Sequence, residues 1–489
     1  MSGPVDPSSV ALADLQRSWT YEQLEDETLA LVCLLQMQGT RVLATLLDNS
    51  AAWVIADRAA ARAPVVHVPL PVFFTAEQIA HALGAAGVDT VLTSPQLAAR
   101  WPQFPASPCT VAGQTLSMLR LPSRAVAMPA GTAKITFTSG TTGTPKGVCL
   151  DAQALQAVAI GLVEAMAPLD IRHHLCALPF AVLLENIAGL MAPLLRGTIC
   201  ITLPLAELGL AGSSSFDAAR FHATVMAQQP NSIILLPQML RAWTGYLMQT
   251  AQRAPDSLRM VAVGGAAVGA KLLRAACDVG IPAFEGYGLS EGASVQTLNL
   301  PGADRPGSAG RALPHAQLRV APDGEIEIAG SLFLGYLGYL GQPEAEPSGG
   351  SQATAWWPTG DLGSIDDDGF LHIEGRKKHL LITAFGRNVS PEWVETTLRG
   401  ENAVAQAVVF GDGEPALSAV LWPLKTDVSD AALQAAVDTA NANLPDYARV
   451  ARWQRAKADF TVSSGMATSN GRPQRQAILQ MHATAMDNS

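Results

Sequence analysis

Ile135 to Gly147 read I-T-F-T-S-G-T-T-G-T-P-K-G. An apolar, β-branched run ends at Phe137. It passes into a loop where Thr138, Ser139, Thr141, Thr142 and Thr144 alternate with Gly140, Gly143 and Gly147, with Lys146 near its close. Five hydroxyls, three glycines and one cation within ten residues are more than a plain surface turn needs. Glycine lets the backbone approach an anion closely. Amides, hydroxyls and an ammonium in one small volume suit phosphate oxygens. The stretch is not a G-x-x-x-x-G-K-[ST] loop, because Pro145 stands where the second glycine belongs and Gly147 where the magnesium-binding hydroxyl belongs. It predicts a nucleotide-phosphate cradle of another kind.

On either side of this loop, strands alternate with helices. A helix is expected over Trp19–Gln38 after the N-cap Thr20, then strands at 41–47, 65–68 and 88–92 separated by helices at 51–63 and 76–86. Segment 101–130, rich in Pro, Ser and Ala, reads as a connection. Beyond the loop come a helix at 152–167, a strand at 175–178, a helix at 186–195, and strands at 199–203, 232–236 and 261–263. This α/β alternation argues for helix-covered parallel sheets. After Gly307 the character changes: Leu318–Val320 and Glu325–Ile328 flank Asp323-Gly324 as a hairpin, within a small antiparallel or barrel-like part. Helix 391–399, strands 405–410 and 417–421, and helix 430–442 then form a small α+β unit. The expected domains are 1–375, large, and 376–489, small and mobile.

A chain of 489 residues exceeds one ordinary core. With 48% hydrophobic and 15% charged residues it has large buried surfaces to form, and a net charge of −10 without a basic block argues against nucleic-acid or anionic-membrane binding. The scattered cysteines, without a C-x-x-C pair, read as reduced thiols in a cytosolic protein. No secretory signal is visible at the N-terminus, and Glu185, Asn186, Pro179 and Pro193 interrupt the most apolar stretch, so a membrane span is not expected. His173-His174 reads as a loop pair before a strand. With no His/Cys cluster in the sequence, no zinc site is expected, and no G-x-S-x-G elbow is present.

Two further motifs carry chemistry. Phe284-Glu285-Gly286-Tyr287-Gly288-Leu289-Ser290-Glu291 offers an aromatic ring to a purine, a hydroxyl to a phosphate, and a carboxylate for Mg²⁺. Trp356-Trp357-Pro358-Thr359-Gly360-Asp361 ends on a carboxylate with acceptor capacity for two ribose hydroxyls. Arg376, Lys377 and Lys378 are clustered at the expected boundary.

In this order the motifs resemble the adenylate-forming superfamily of acyl-CoA synthetases, fatty acyl-AMP ligases, luciferases and peptide-synthetase adenylation domains, from Thr20 to about Arg475. T-S-G-T-T-G-T-P-K-G looks like its phosphate loop, G-Y-G-L-S-E its adenine and Mg²⁺ motif, T-G-D its ribose aspartate and G-R-K-K its hinge. The resemblance implies that Lys146, Arg472, Glu291 and Arg387 act in catalysis, with Glu291 on the metal. ATP would meet Thr138, Ser139, Gly140, Thr141, Thr142, Gly143, Gly265, Ala266, Glu285, Gly286, Tyr287, Gly288, Ser290, Asp361 and Arg376. Val182, Leu183 and Gly264 would line the acid pocket, and Lys378 would be the hinge.

The implied reaction joins an acid to ATP as an acyl-adenylate, releasing pyrophosphate. The acyl group then passes to the thiol of CoA or of a carrier-protein phosphopantetheine. L-P-F-A-V-L-L-E-N at 178–186 lacks the aspartate of amino-acid activators and points to a fatty or aryl acid. Two positions depart from the family pattern. Arg472 stands at the family's T-x-x-G-K-x-x-R lysine, and the two cations are not interchangeable. Phe385 stands where CoA users often have glycine, while Gly386-Arg387-Asn388 matches acyl-AMP ligases, which favours a carrier protein. An adenylate former with a non-thiol acceptor, or a nucleotide-binding protein with weakened catalysis, are the alternatives.

Overall fold

The computed structural model describes residues 5–122, 124–138, 145–212, 215–339, 355–384, 387–467 and 472–486. Two large sheets dominate. One has nine strands, and its central strands His173–Leu175, Ser232–Leu235, Met260–Val263 and Ala283–Leu289 pair in parallel. The other has eight strands, centred on the parallel strands Val42–Leu46, Val66–Pro69 and Thr90–Thr93. Parallel strands need helical crossovers, and the helices Ala51–Arg62 and Ala76–Ala85 provide them on the second sheet, while the helix Tyr21–Met37 leads into it from the first. Thr20 and Thr75 both close capping boxes, with Gln23 and Gln78. The small antiparallel part is a four-stranded sheet of Gln317–Val320, Glu325–Ala329, Trp357–Ile365 and Leu371–Arg376. Beyond it, the strands Val404–Phe410, Leu417–Pro423 and Val450–Arg455 form a three-stranded sheet packed by the helices Pro391–Arg399 and Asp430–Ala442.

Three expectations are corrected. Segment 101–130 contains a hairpin, Ala106–Val111 with Gln114–Arg120, added to the sheet edge beside Thr90–Thr93. Its outer strand is an exposed edge that tolerates Pro108, so no apolar alternation marks it in the sequence. His173 and His174 do not precede a strand; they form it with Leu175, and Cys176–Leu178 lie beyond its end. The helix expected at 186–195 is a π-helical turn, Glu185–Met191, followed by an α-turn, Ala192–Arg196, that places Pro193 where an amide donor is not needed.

A buried polar knot ties the eight-stranded sheet to this π-turn. Asp57 receives Lys134 Nζ at 2.7 Å, His67 Nδ1 at 2.6 Å and Asn186 Nδ2 at 3.2 Å, and His67 Nε2 meets Thr45 Oγ1 at 2.9 Å. Burial alone would raise the Asp57 carboxyl, but Lys134 and His67 hold it far below the usual range. Removing one partner of a buried pair leaves the other charge uncompensated. Lys134→Met is therefore expected to destabilise the protein by about 3–5 kcal/mol, read as the loss in urea unfolding free energy. The companion Asp57→Asn, Lys134→Met double variant should recover part of that loss.

Candidate active site

Chemistry-bearing residues gather where the central strands of the nine-stranded sheet end. The turn after Met260–Val263 carries Gly264, Gly265 and Ala266, and the strand Ala283–Leu289 carries Glu285 to Gly288. Carboxyl ends of parallel strands are where an α/β sheet opens a crevice. Here the crevice is a cavity of about 1700 Å³. Gly288 must be glycine, because a Cβ would run into the Ser294 carbonyl across the turn.

The cavity mouth is organised by Asp361. Its carboxylate is buried and has a partner on each oxygen: Arg376 Nε at 2.6 Å on Oδ1, and the Tyr287 hydroxyl, which donates at 2.6 Å to Oδ2. Arg376 also donates to the Thr359 carbonyl at 3.2 Å. Burial raises the Asp361 carboxyl, and Arg376 and Tyr287 oppose that rise. Nearby, the Tyr336 hydroxyl donates to Glu291 Oε1 at 2.6 Å, and the Lys146 ammonium lies 5.3 Å from the Tyr336 ring centroid. Tyr336 was not anticipated; its only sequence signal is the aromatic repeat G-Y-L-G-Y at 335–339.

Thr138 and Lys146 pair across adjacent strands and both face the cavity. They frame the loop whose predicted phosphate contacts Ser139, Gly140, Thr141, Thr142 and Gly143 lie outside the described residues, as do Phe385 and Gly386. Arg472 reaches the same mouth from the chain's last segment, its Nη2 3.4 Å from the Gly265 carbonyl. Enclosure and the neighbouring Arg376 lower its pKa, while Asp361 and Glu291 oppose the fall. Lys378 is lowered by burial and by Arg376, Arg472 and Lys146. Four cations thus converge with two carboxylates, a charge excess that suits a polyphosphate.

Gly265, Ala266, Glu285, Gly286, Ser290, Val182, Leu183 and Gly264 also line the cavity. Arg387 does not: it is exposed, in the small hairpin Leu381–Ile382 with Asn388–Val389. The fold also brings together what sequence spacing kept apart. The potential ligand atoms of His174, Cys176 and Glu185 lie within 4.8 Å of one another, so a His/Cys/carboxylate group exists where none was expected. No helix among the described residues is long and apolar enough to cross a membrane.

The family model for AMP-binding enzymes matches residues 3–337, and the model for the AMP-binding enzyme C-terminal domain matches residues 378–489. The chain is 27% identical over 441 residues to the long-chain-fatty-acid–CoA ligase FadD15 of Mycobacterium bovis, covering 77% of this chain and 72% of that protein. It is 32% identical over 295 residues to the 2-succinylbenzoate–CoA ligase of Bacillus cereus, covering 57% of this chain and 56% of that protein. Among solved structures, the o-succinylbenzoate CoA synthetase MenE of Bacillus subtilis, in complex with its acyl-adenylate, superimposes with a TM-score of 0.76 at 23% identity. That match covers 96% of this chain and 95% of the other. The anthranilate CoA ligase AuaEII superimposes with a TM-score of 0.80 at 19% identity, over 99% and 96%.

One carboxyl in the cavity wall titrates near neutrality. Burial raises Glu285 to about 7, against an ordinary 4.5, although the Val268 amide donates to it at 3.0 Å. A raised acid contributes its stability fully below the unfolded pKa and loses it as pH climbs to the folded one. Stability should therefore fall by on the order of 3 kcal/mol between about pH 4.5 and pH 7 on this account. Glu285→Gln is expected to flatten that decline, measured by urea midpoints at about pH 5 and about pH 8.

Proposed function

The chain belongs to the AMP-binding enzyme family, and from that premise we propose that it is an AMP-forming acid–thiol ligase acting on a fatty or aryl acid. The observation that carries this reading is the junction at Gly264. There a mouth of four cations and two carboxylates opens onto an apolar cavity, and a Cβ at Gly264 would meet only Gly286 O at 3.5 Å and Leu184 Cδ2 at 3.8 Å. An acid carboxylate held there faces the phosphates bound at the mouth.

In the first step a carboxylate oxygen of the acid attacks the α-phosphorus of ATP. The bond from that phosphorus to the bridging oxygen breaks, and pyrophosphate leaves. Lys146 and Arg472 stabilise the charge that builds on the phosphates, Asp361 and Arg376 orient the ribose, and Tyr287 lies against the base. Glu291, a hard oxygen donor in a cation-rich wall, fits Mg²⁺, which would supply charge neutralisation on the phosphate oxygens. In the second step a thiol sulfur, as thiolate, attacks the acyl carbon. The carbon–oxygen bond to AMP breaks, and AMP leaves.

Residues 376–489 would turn about Lys378 between the two steps, exchanging Arg472 at the mouth for the hairpin that carries Arg387. The present contacts between the parts include polar ones: Arg241 Nη1 donates to the Arg399 carbonyl at 2.6 Å, and Lys271 pairs with Glu401. Such contacts exchange readily for water. The acceptor is CoA or a carrier-protein phosphopantetheine, in a cytoplasmic setting.

Acid-dependent exchange of labelled pyrophosphate into ATP tests the first step. Lys146→Ala and Arg472→Ala are each expected to lower exchange by roughly 10- to 1,000-fold, whereas Lys378→Ala should impair thioester formation more than exchange. Exchange unaffected by both of the first two substitutions would remove their assigned roles. Thioester yield with CoA against a phosphopantetheinylated carrier protein identifies the acceptor.

A further inference from the structure

The cavity extends well past the reacting end. Strand registers align His174 with Ser232 and Ser232 with Met260 at one end of the sheet, and Ile234 with Ala262 nearer the mouth. Side chains alternate across a strand, so Met260, Ala262 and Gly264 share one face with His174 and Ser232. From Gly264 back to Met260 is four residues, ~13 Å along the strand. Leu162, Ala188 and Ala192 from the covering helices form the opposite wall. Small side chains on both walls keep this space open.

The far end is not apolar. His174 and Ser232 from two strands, Arg196 from a helix end and Thr198 from the connection just after it all line the cavity there. His174 Nδ1 and Ser232 Oγ are 2.8 Å apart, inside a wall where His174 is 3% exposed. Behind the ring, Glu185 stands 3.7 Å from His174 Nε2 and faces the Ala177 and Leu178 amides; a Cβ on Gly189 would stand 2.6 Å from its carboxylate. Ser232 thus holds one side of the imidazole, and Nε2 on the other side faces Glu185 from beyond hydrogen-bond distance. Thr198 Oγ1 donates to the Ile171 carbonyl at 3.1 Å, and Arg196 Nη1 to the Met166 carbonyl at 2.8 Å. A serine or threonine hydroxyl and a guanidinium each retain further hydrogen-bonding capacity after such bonds. A few convergent polar groups in an otherwise apolar pocket fix a ligand's orientation and identity. A methyl-ended chain lying against them displaces water without replacing its hydrogen bonds.

We propose that the acid carries a hydrogen-bonding oxygen, as a hydroxyl, phenol or carbonyl, at the end remote from its carboxylate, and that Ser232, Thr198 and Arg196 receive it, with His174 and Glu185 as positioning residues for Ser232. The inference rests on the ligase reading only in taking this cavity as the acid site.

Calorimetric binding to the full chain separates the two. The probes are straight-chain acids and their ω-hydroxy counterparts of equal length, and aryl acids with and without a distal phenol. The oxygenated member of a matched pair is expected to bind roughly tenfold more tightly. Ser232→Ala and Thr198→Val should each shrink that preference while leaving the affinity of the unoxygenated acid in place. Equal or tighter binding of the unoxygenated acid by the unaltered protein, binding of neither, or a preference intact in both variants would overturn the proposal. Because binding is read without turnover, a missing pyrophosphate exchange would refute the ligase reading while this comparison still decides the tail.

Discussion

Asp361 is a carboxylate that the fold has taken out of water and answered on both oxygens. Burial of an ionised carboxylate is costly without a paired charge and hydrogen bonds. Arg376 and Tyr287 supply them, and the three residues belong to three different strands. Tyr287 lies on Ala283–Leu289 of the nine-stranded sheet, Asp361 on Trp357–Ile365 and Arg376 at the end of Leu371–Arg376. One carboxylate therefore joins the sheet that builds the cavity, the small antiparallel sheet, and the chain's entry into its last part, two residues before Lys378. On the proposed reading a ribose that enters would share or exchange these partners, so nucleotide binding would act on the segment that leads to Lys378 through a single group.

On the proposed reading, the same sheet places phosphate chemistry and acid selection at opposite ends of one cavity. Parallel strands place their following loops on one edge, and the glycine-rich turn at Gly264 falls there beside the strand residue Gly286. The other edge is where the strands begin, and there the side chains of Ser232 and His174 stand in register. Between the edges the sheet face is Ala262 and Ile234, roofed by the π-turn. A π-turn is wider than an α-turn and often marks a functional site. Here it carries both Glu185, behind His174, and Ala188 in the cavity wall.

What was legible in the sequence was local. G-Y-G-L-S-E and T-G-D each stand out within ten residues, and the structure brings Tyr287, Glu291 and Asp361 to one cavity mouth. The helices Pro391–Arg399 and Asp430–Ala442 were equally plain, since capping and period are local properties. What was not legible depends on partners distant in the chain. His174 becomes a strand residue only because Cys200 and Ser232 flank it. The hairpin at 106–120 exists because the edge strand Thr90–Thr93 offers it hydrogen bonds, against a composition that suggests none. Asp57, Lys134, His67 and Asn186 span 130 positions of sequence and meet through the folded chain alone.

Arginine at position 472 follows from the charge around it. The mouth holds Lys146, Arg376, Lys378 and Arg472 against Asp361 and Glu291, and each cation raises the cost of the next. Lys378 registers this directly: burial and three positive neighbours push its pKa down. A lysine at 472 would meet the same Arg376, and an ammonium loses its proton more readily than a guanidinium among like charges. The guanidinium at 472 is also pushed down, but it starts far higher than an ammonium and keeps its charge across physiological pH. Its planar fork also spans two oxygens at once, as a phosphate or carboxylate presents them. In a mouth this crowded with positive charge, arginine is the residue that guarantees the last cation is present before the nucleotide arrives.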